Sequence, residues 1–568
     1  MKYKKETIVN SWFVTLVVAV LLGVLIIFTY GGLKNTFFQQ DEWASIGFVR
    51  GAHSVLGELP MLSLIQVAAG NQRILGSLIN NIFHFYMPFN IWPFVLFSIM
   101  FHWANALLVF VFVKRLTKNY LLGFTAAGIF SLLYTPSEAL VWFSSHTTAL
   151  PNCFFVLLAL HSYLSYLENS NARYKIAAYV SFIVSLLFKE SSIFLFFIFP
   201  LMDMFFVKRK ISVAKIALRH AVLLGYGLFI IAARAVNLIT VQAHVGVFST
   251  GQPNYPVNIV IHALSYPVTS FSQLFIPNKI LFKLAPFFQT AMYEFITSHP
   301  LRTAINTIMV SDMLSVYFTC LFLITGGIVL YVEKGVRGRL IFAYQFTFLS
   351  FLPFAVVDRP LSSYLESRYY YLGSIGAAMI IAFIIEALYL RIKTRSTPVV
   401  FIGVIFITVI FASYIYKNTV FIKRDINEKI ITANERKVFL TDLKNKSSIL
   451  PEKPIFYIEG DSPGFYGLSD LAVPFQQGMG YTIMVWFFDT GKIPGSFLSS
   501  SFLWNINAQG YKEDKEKGFG YYWNRDALKH LFAQRPDISP GQVVGFRYVA
   551  SQKKLIDITG EIRNDIVL

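Results

Sequence analysis

Charge is scarce in this chain of 568 residues: Asp, Glu, Lys and Arg together make up 14% of it, against about 25% in a soluble globular protein. That shortage excludes a string of soluble domains, because too little polar surface exists to cover them. Cysteine is nearly absent too. Cys153 and Cys320 are the two in the chain, both inside apolar runs, which argues against a disulfide framework and a cysteine-based metal site. No unit of about 20–50 residues recurs, so a solenoid is excluded.

What the chain does have is apolar. Hydrophobic residues make up 55%, with 57 Phe and 30 Tyr, and the mean hydropathy is +0.55. Such a composition suits lipid-facing and interfacial surfaces. The net charge of +18 is unevenly placed: residues 1–419 hold 30 basic and 14 acidic side chains, residues 420–568 hold 19 and 17. The excess therefore sits in short loops of the apolar part, unlike the clustered basic face of a nucleic-acid binder.

Apolar runs long enough to span a bilayer fall near 9–30, 91–113, 120–141, 148–167, 174–188, 191–207, 216–236, 313–332, 339–357, 369–390 and 397–416. The expectation is a polytopic α-helical membrane protein of about eleven helices. The first run is too long for a cleaved signal peptide and lacks a small-residue cleavage site, so it reads as a retained anchor. Basic groups occupy every second loop: Lys114/Arg115/Lys118, Arg173/Lys175, Lys208–Lys210, Lys334/Arg337/Arg339 and Arg391/Lys393/Arg395. The positive-inside rule puts these loops and the N-terminus in the cytoplasm of a cell-membrane protein, with the C-terminus outside.

The outer side then receives everything large. One loop covers about 31–90, with an amphipathic stretch over Ile65–Phe85. A second covers 237–312 and is expected to lie along the interface. Residues 420–568 form a C-terminal extracytoplasmic domain, beside a membrane domain of residues 1–419. In it a polar helix over Lys423–Lys446 precedes short β-type runs such as Ile455–Ile458 and Val543–Phe546, separated by Gly/Pro turns. A mixed α/β domain is the expectation.

So few charges remain in the membrane part that each can be weighed. Asp41-Glu42, Arg73, Glu138, Lys189-Glu190, Arg359, Glu366 and Arg368 all fall at the outer surface on this topology. A pump or ion-coupled carrier would set its ionisable groups near mid-bilayer. Acids and bases ringing one boundary suit a substrate with its tail in lipid and a phosphate at the surface, held by Arg and Lys. A carboxylate there can take the proton of an incoming hydroxyl. Singly, each has a plainer reading: a helix-end cap for Asp41-Glu42 and Glu138, an ion pair in a turn for Lys189-Glu190, and an arginine snorkelling beside Tyr369–Tyr371. His53, His84, His102, His146, His244 and His262 show no metal-ligand spacing and read as core or interfacial residues.

An Asp-Glu pair in the first outer loop resembles the C-type (GT-C) membrane glycosyltransferases, particularly protein O-mannosyltransferases. Phe101–Leu108, Pro136–Trp142, Leu187–Glu190 and Glu366–Gly376 are similar to the O-mannosyltransferases that carry tetratricopeptide repeats, in order and spacing over about residues 8–390. The resemblance implies a polyprenyl-phosphate sugar donor, an outer-face protein or glycan acceptor, and a catalytic first-loop acid, carried first to Asp41 and second to Glu42. It implies substrate-binding roles for Glu138, Lys189 and Glu190, and lipid-phosphate contact for Arg368. Arg73, Arg359, Glu366 and Tyr369 join the candidate binding set. The repeats themselves are absent, and the Arg-Tyr-Tyr-Tyr run departs from the family's Leu-Tyr-Leu-Pro wording. No cofactor is certain; Asp41, Glu42 and Glu138 are hard oxygen ligands suited to a divalent cation. The alternatives are an oligosaccharyltransferase or glycan ligase with a diphosphate-linked donor, and a non-enzymatic lipid flippase or transporter.

Overall fold

The computed structural model describes residues 2–39, 41–56, 65, 73–207, 212, 214–221, 223, 225–227, 255–296, 307–357, 365–393, 397–461, 479–498 and 509–567. The protein is a polytopic helical membrane protein with a small C-terminal sheet domain. Among the described residues, seven helical stretches are long and apolar enough to cross a membrane: Trp12–Asn35, Trp92–Thr117, Phe143–Asn169, Thr307–Val332, Arg337–Val356, Gly373–Lys393 and Phe401–Lys446.

The expected spans 120–141 and 191–207 take shorter forms, while 174–188 gains two residues at its start. They appear as helices Tyr120–Leu132, Ala172–Phe188 and Leu195–Phe206. At 1.5 Å per residue the first is about 20 Å long, short of a bilayer core of about 30 Å; a 3-10 turn, Thr135–Ser137, with Pro136 at its centre, then follows. Most of 216–236 lies outside the described residues. The described residues of the expected interfacial loop 237–312 include two helices, Tyr255–Phe275 and Asn278–Ile296, bent by 103° where they meet. Its buried Thr269, Ser270, Ser272 and Gln273 give the first of them a polar stripe. Ser315 satisfies Ser272 Oγ and Gln273 Nε2, and Tyr370 donates to Ser270 Oγ, so the stripe faces protein.

The chain forms two compact units, residues 1–31 with 97–423, and residues 32–96 with 424–568. The first outer loop thus groups with the C-terminal domain, a division composition alone does not give.

In the first unit the described basic loops around Arg115, Arg173 and Arg339 lie at one end of their helices. Asn119 and Asn171 cap the helices that begin there, while Arg115 pairs with Glu168 at 2.7 Å. Arg339 reaches the Leu116 carbonyl at 3.4 Å and pairs with Glu386 at 3.0 Å. The turns at 135–142, 189–194, 352–357 and 366–372 occupy the other ends of the same helices. Gly376 sets how closely the 337–351 and 373–393 helices approach: a Cβ there would collide with Thr347 Oγ1.

In the second unit, five strands run in the order β2-β3-β1-β4-β5: β1 Ile455–Gly460, β2 Gly510–Asp514, β3 Lys517–Tyr522, β4 Val543–Val549 and β5 Lys554–Asp557. β1 pairs in parallel with β3 and β4, and two antiparallel hairpins close the edges. Alternation along β1 sends Ile455 and Tyr457 into a core with Leu528 and Ile562 from helices Arg525–Gln534 and Thr559–Val567. Phe456 points the other way, against Phe487 and Phe519. The polar helix expected over Lys423–Lys446 continues the last span without a break, as one helix Thr397–Lys446. Helix Asp41–Leu56 is anchored by the buried Trp43, ringed by Phe37, Phe38, Phe89 and Trp486. That ring ties residues 32–96 to the sheet domain.

Candidate functional site

The first unit gathers a polar cluster at the end opposite its basic loops. A one-turn helix, Glu138–Val141, and a 3-10 turn, Ser367–Tyr370, are joined by Glu138, whose Oε2 accepts the Arg368 backbone N–H at 3.0 Å. The Arg368 guanidinium lies over the Trp142 ring at 4.1 Å. It pairs with Glu366, and its Nη1 stands 3.9 Å from Glu138 Oε1. Trp142 ends the one-turn helix and directly precedes helix Phe143–Asn169, so the stacked arginine sits beside the start of that helix. Packing on an aromatic face while keeping its fork of donors is characteristic of arginine and not of lysine.

Lys189 enters from a third element. Extended backbone at Lys189 (φ −161°) stops helix Ala172–Phe188, which leaves the buried side chain with its ammonium 5.0 Å from the Tyr369 ring. Tyr369 stacks in turn on Phe354 at 4.7 Å. A small cleft opens among these groups, lined by Asn152, Lys189, Ser191, Arg368, Tyr369 and Tyr371, with Ala149, Phe354 and Leu372.

The cleft wall is fixed from behind. The Tyr371 hydroxyl meets His102 Nδ1 at 2.7 Å, while His102 Nε2 faces the Ser131 carbonyl at 3.1 Å. A carbonyl can only accept, so Nε2 carries the proton of the neutral ring and Tyr371 donates to Nδ1. Asn105 Nδ2 donates to the same hydroxyl at 3.2 Å. Asn152 Nδ2 spans two helix-end carbonyls, Ser185 at 2.8 Å and Lys189 at 2.9 Å, and so fixes the backbone from which Lys189 projects.

Of the residues expected from the sequence, Glu138, Lys189, Glu366, Arg368 and Tyr369 come together here. Glu190 opens the next 3-10 turn, Glu190–Phe194, and is not among the lining residues. Arg359 lies outside the described residues. Glu42 and Arg73 belong to the other compact unit. Arg73 directly precedes helix Ile74–Tyr86. Glu42 is buried and accepts the Gln39 backbone N–H. It also attracts the buried guanidinium of Arg436, which donates to the Phe38 carbonyl at 3.0 Å. Asp41 opens helix Asp41–Leu56, and its side chain lies outside the described residues.

No three His, Cys, Asp or Glu side chains among the described residues are placed to hold a metal ion. Glu138 and Glu42 each face an arginine.

Sequence reasoning passed over Trp142, Asn152 and Tyr371, because a tryptophan, an asparagine and a tyrosine in apolar runs carry no charge signal. It also passed over Asp203, whose signal was available: a lone carboxylate within Phe199-Pro200-Leu201-Met202-Asp203-Met204-Phe205. Its buried carboxylate accepts from Tyr163 at 3.0 Å, from His220 Nε2 at 2.9 Å and from Arg219, apart from the cleft residues.

No protein-family model matches the chain, nor does any curated protein. Solved structures are similar to it over most of their length, two of them as follows. ArnT from Cupriavidus metallidurans bound to undecaprenyl phosphate is 11% identical, with 95% of this chain and 93% of that chain covered and a TM-score of 0.33. ArnT from the same organism in the apo state is 12% identical over the same shares, also at a TM-score of 0.33.

Proposed function

We propose that the chain is a membrane glycosyltransferase that moves a sugar from a polyprenyl-phosphate donor to a hydroxyl acceptor on the outer face of the membrane. The observation that carries the reading is the cleft between Lys189 and Arg368. Two cations from different helix ends line one small cavity, and Arg368 Nη1 has no hydrogen-bond partner among the described residues. Phosphate oxygens are suitable partners for such groups, through charge-assisted hydrogen bonds. The apolar helices around the cleft suit the polyprenyl tail, and the alternation of basic loops favours the outer side for the cleft end.

In this reading the acceptor oxygen bonds to the anomeric carbon as the bond from that carbon to the phosphate oxygen breaks. The electron pair leaves with the polyprenyl phosphate, whose growing charge Arg368 and Lys189 offset. Asp41 takes the acceptor proton. Glu42 is the weaker choice of the pair, since its buried carboxylate already serves Gln39 and Arg436. Glu138 and Glu366 hold Arg368 in position.

The test is transfer of radiolabelled sugar from polyprenyl phosphate in reconstituted vesicles, with wild type beside Asp41→Asn. Wild-type transfer, with a loss on the order of 10²–10⁴-fold in Asp41→Asn, is the expected result. Lipid scrambling without any transfer would instead favour a flippase.

A further inference from the structure

We infer that the cleft recognises a sugar hydroxyl as well as a phosphate, through Asn152 Oδ1, and so selects a lipid-linked phosphosugar over the bare lipid phosphate. This rests on the proposed donor class and names the part of the donor that the cleft reads.

Asn152 is 1% exposed, and both hydrogens of its amide are committed, to the carbonyls of Ser185 and Lys189. Those two bonds set which way the amide faces. Its Oδ1 is left buried with no hydrogen-bond partner among the described residues, although Asn152 lines the cleft. Buried acceptors are seldom left unpaired. Tyr371 cannot serve it, because its one proton goes to His102 Nδ1. The cleft therefore offers charged donors from Lys189 and Arg368 and, beside the Ser191 and Tyr369 hydroxyls that can give or accept, an unpartnered acceptor in Asn152.

A phosphodiester fits only half of that set. It carries acceptors and, at neutral pH, no proton to give. A sugar attached to it supplies the missing donor, and the hydroxyl on the ring carbon beside the anomeric carbon is the nearest one to the phosphate. Asn152 is bonded to the Lys189 carbonyl, so on this inference its Oδ1 takes that hydroxyl while Lys189 takes the phosphate.

The test measures binding to the full-length protein in lipid nanodiscs with five probes: decaprenol, decaprenyl phosphate, its mannosyl and glucosyl esters, and the 2-deoxy analogue common to both esters. Wild type should bind the better of the two esters about three- to tenfold more tightly than the 2-deoxy analogue, as one hydrogen bond is worth. In Asn152→Ala that ratio should fall to about one, whatever happens to decaprenyl phosphate through a loosened Lys189. Equal binding of ester and 2-deoxy analogue by wild type would overturn the inference and leave Oδ1 to a trapped water; this comparison needs no folded variant. An unchanged ratio in Asn152→Ala would overturn it too. The donor reading itself fails on a different result, when wild type holds decaprenyl phosphate no better than decaprenol.

Discussion

Glu138 separates a residue that touches substrate from one that holds another residue in place. Its Oε2 accepts the Arg368 N–H at 3.0 Å and its Oε1 lies 3.9 Å from Nη1. Glu138→Gln keeps a carbonyl able to accept that N–H and loses only the charge. The ion pair is long and partly exposed, so its loss should cost no more than about 1 kcal/mol, or about fivefold in apparent KM for the lipid donor. Glu138→Ala removes the bond to the turn as well. A hydrogen bond to a charged group is worth about 1.5–3 kcal/mol, which corresponds to about 10- to 150-fold at 1.4 kcal/mol per decade. The assay is sugar transfer in vesicles at varied donor concentration, with kcat and KM separated. A positioning role appears mainly in KM, with Gln close to wild type. Gln as damaging as Ala would mean that the carboxylate charge itself is used, and a harmless Ala would remove Glu138 from the site.

Three further outcomes are expected. Glu42→Ala should leave Arg436 without its buried counter-charge and cost about 3–5 kcal/mol; an unchanged melting temperature would contradict that role. His84 is fully buried against Phe38 and Phe94, and burial holds its imidazole at a pKa of about 3. The unfolded chain, with a histidine near 6.5, therefore takes up the proton first, and stability present above about pH 6.5 is lost as the pH falls towards 3. His84→Phe should flatten that slope in melts between pH 7.5 and 4; a slope equal to wild type would acquit His84. Gly376→Ala should overpack the contact with Thr347 and destabilise by about 1–3 kcal/mol; a melt equal to wild type would mean that the two helices can part freely.

The residues legible in the sequence were those whose placement is costly in a membrane. Glu138, Lys189, Glu366 and Arg368 stood out because each is a charge beside a long apolar run, and the same property brings them together, since each needs a partner or water. The strands at Ile455 and Val543 were legible for a local reason, β-branched and aromatic runs between turns. Partners without charge were not. Trp142 under Arg368 and Asn152 behind Lys189 act through position, and position depends on which helix ends meet. The grouping of residues 32–96 with the sheet domain was hidden likewise: it rests on Trp43 packing against Trp486, more than 400 residues apart in the chain. Span lengths were overestimated where hydropathy runs straight through a turn, as at Pro136, because a buried turn is as apolar as the helix before it.

The central claim is that Arg368 and Lys189 hold a lipid phosphate. The measurement that meets it most directly is the affinity of decaprenyl phosphate relative to neutral decaprenol, for wild type and for Arg368→Ala in nanodiscs of uncharged lipid. Wild type should prefer the phosphate by tenfold or more, and Arg368→Ala should lose about 10- to 150-fold of that preference, the worth of a charge-assisted contact. A wild-type protein indifferent to the phosphate, or a preference untouched by Arg368→Ala, would contradict the account.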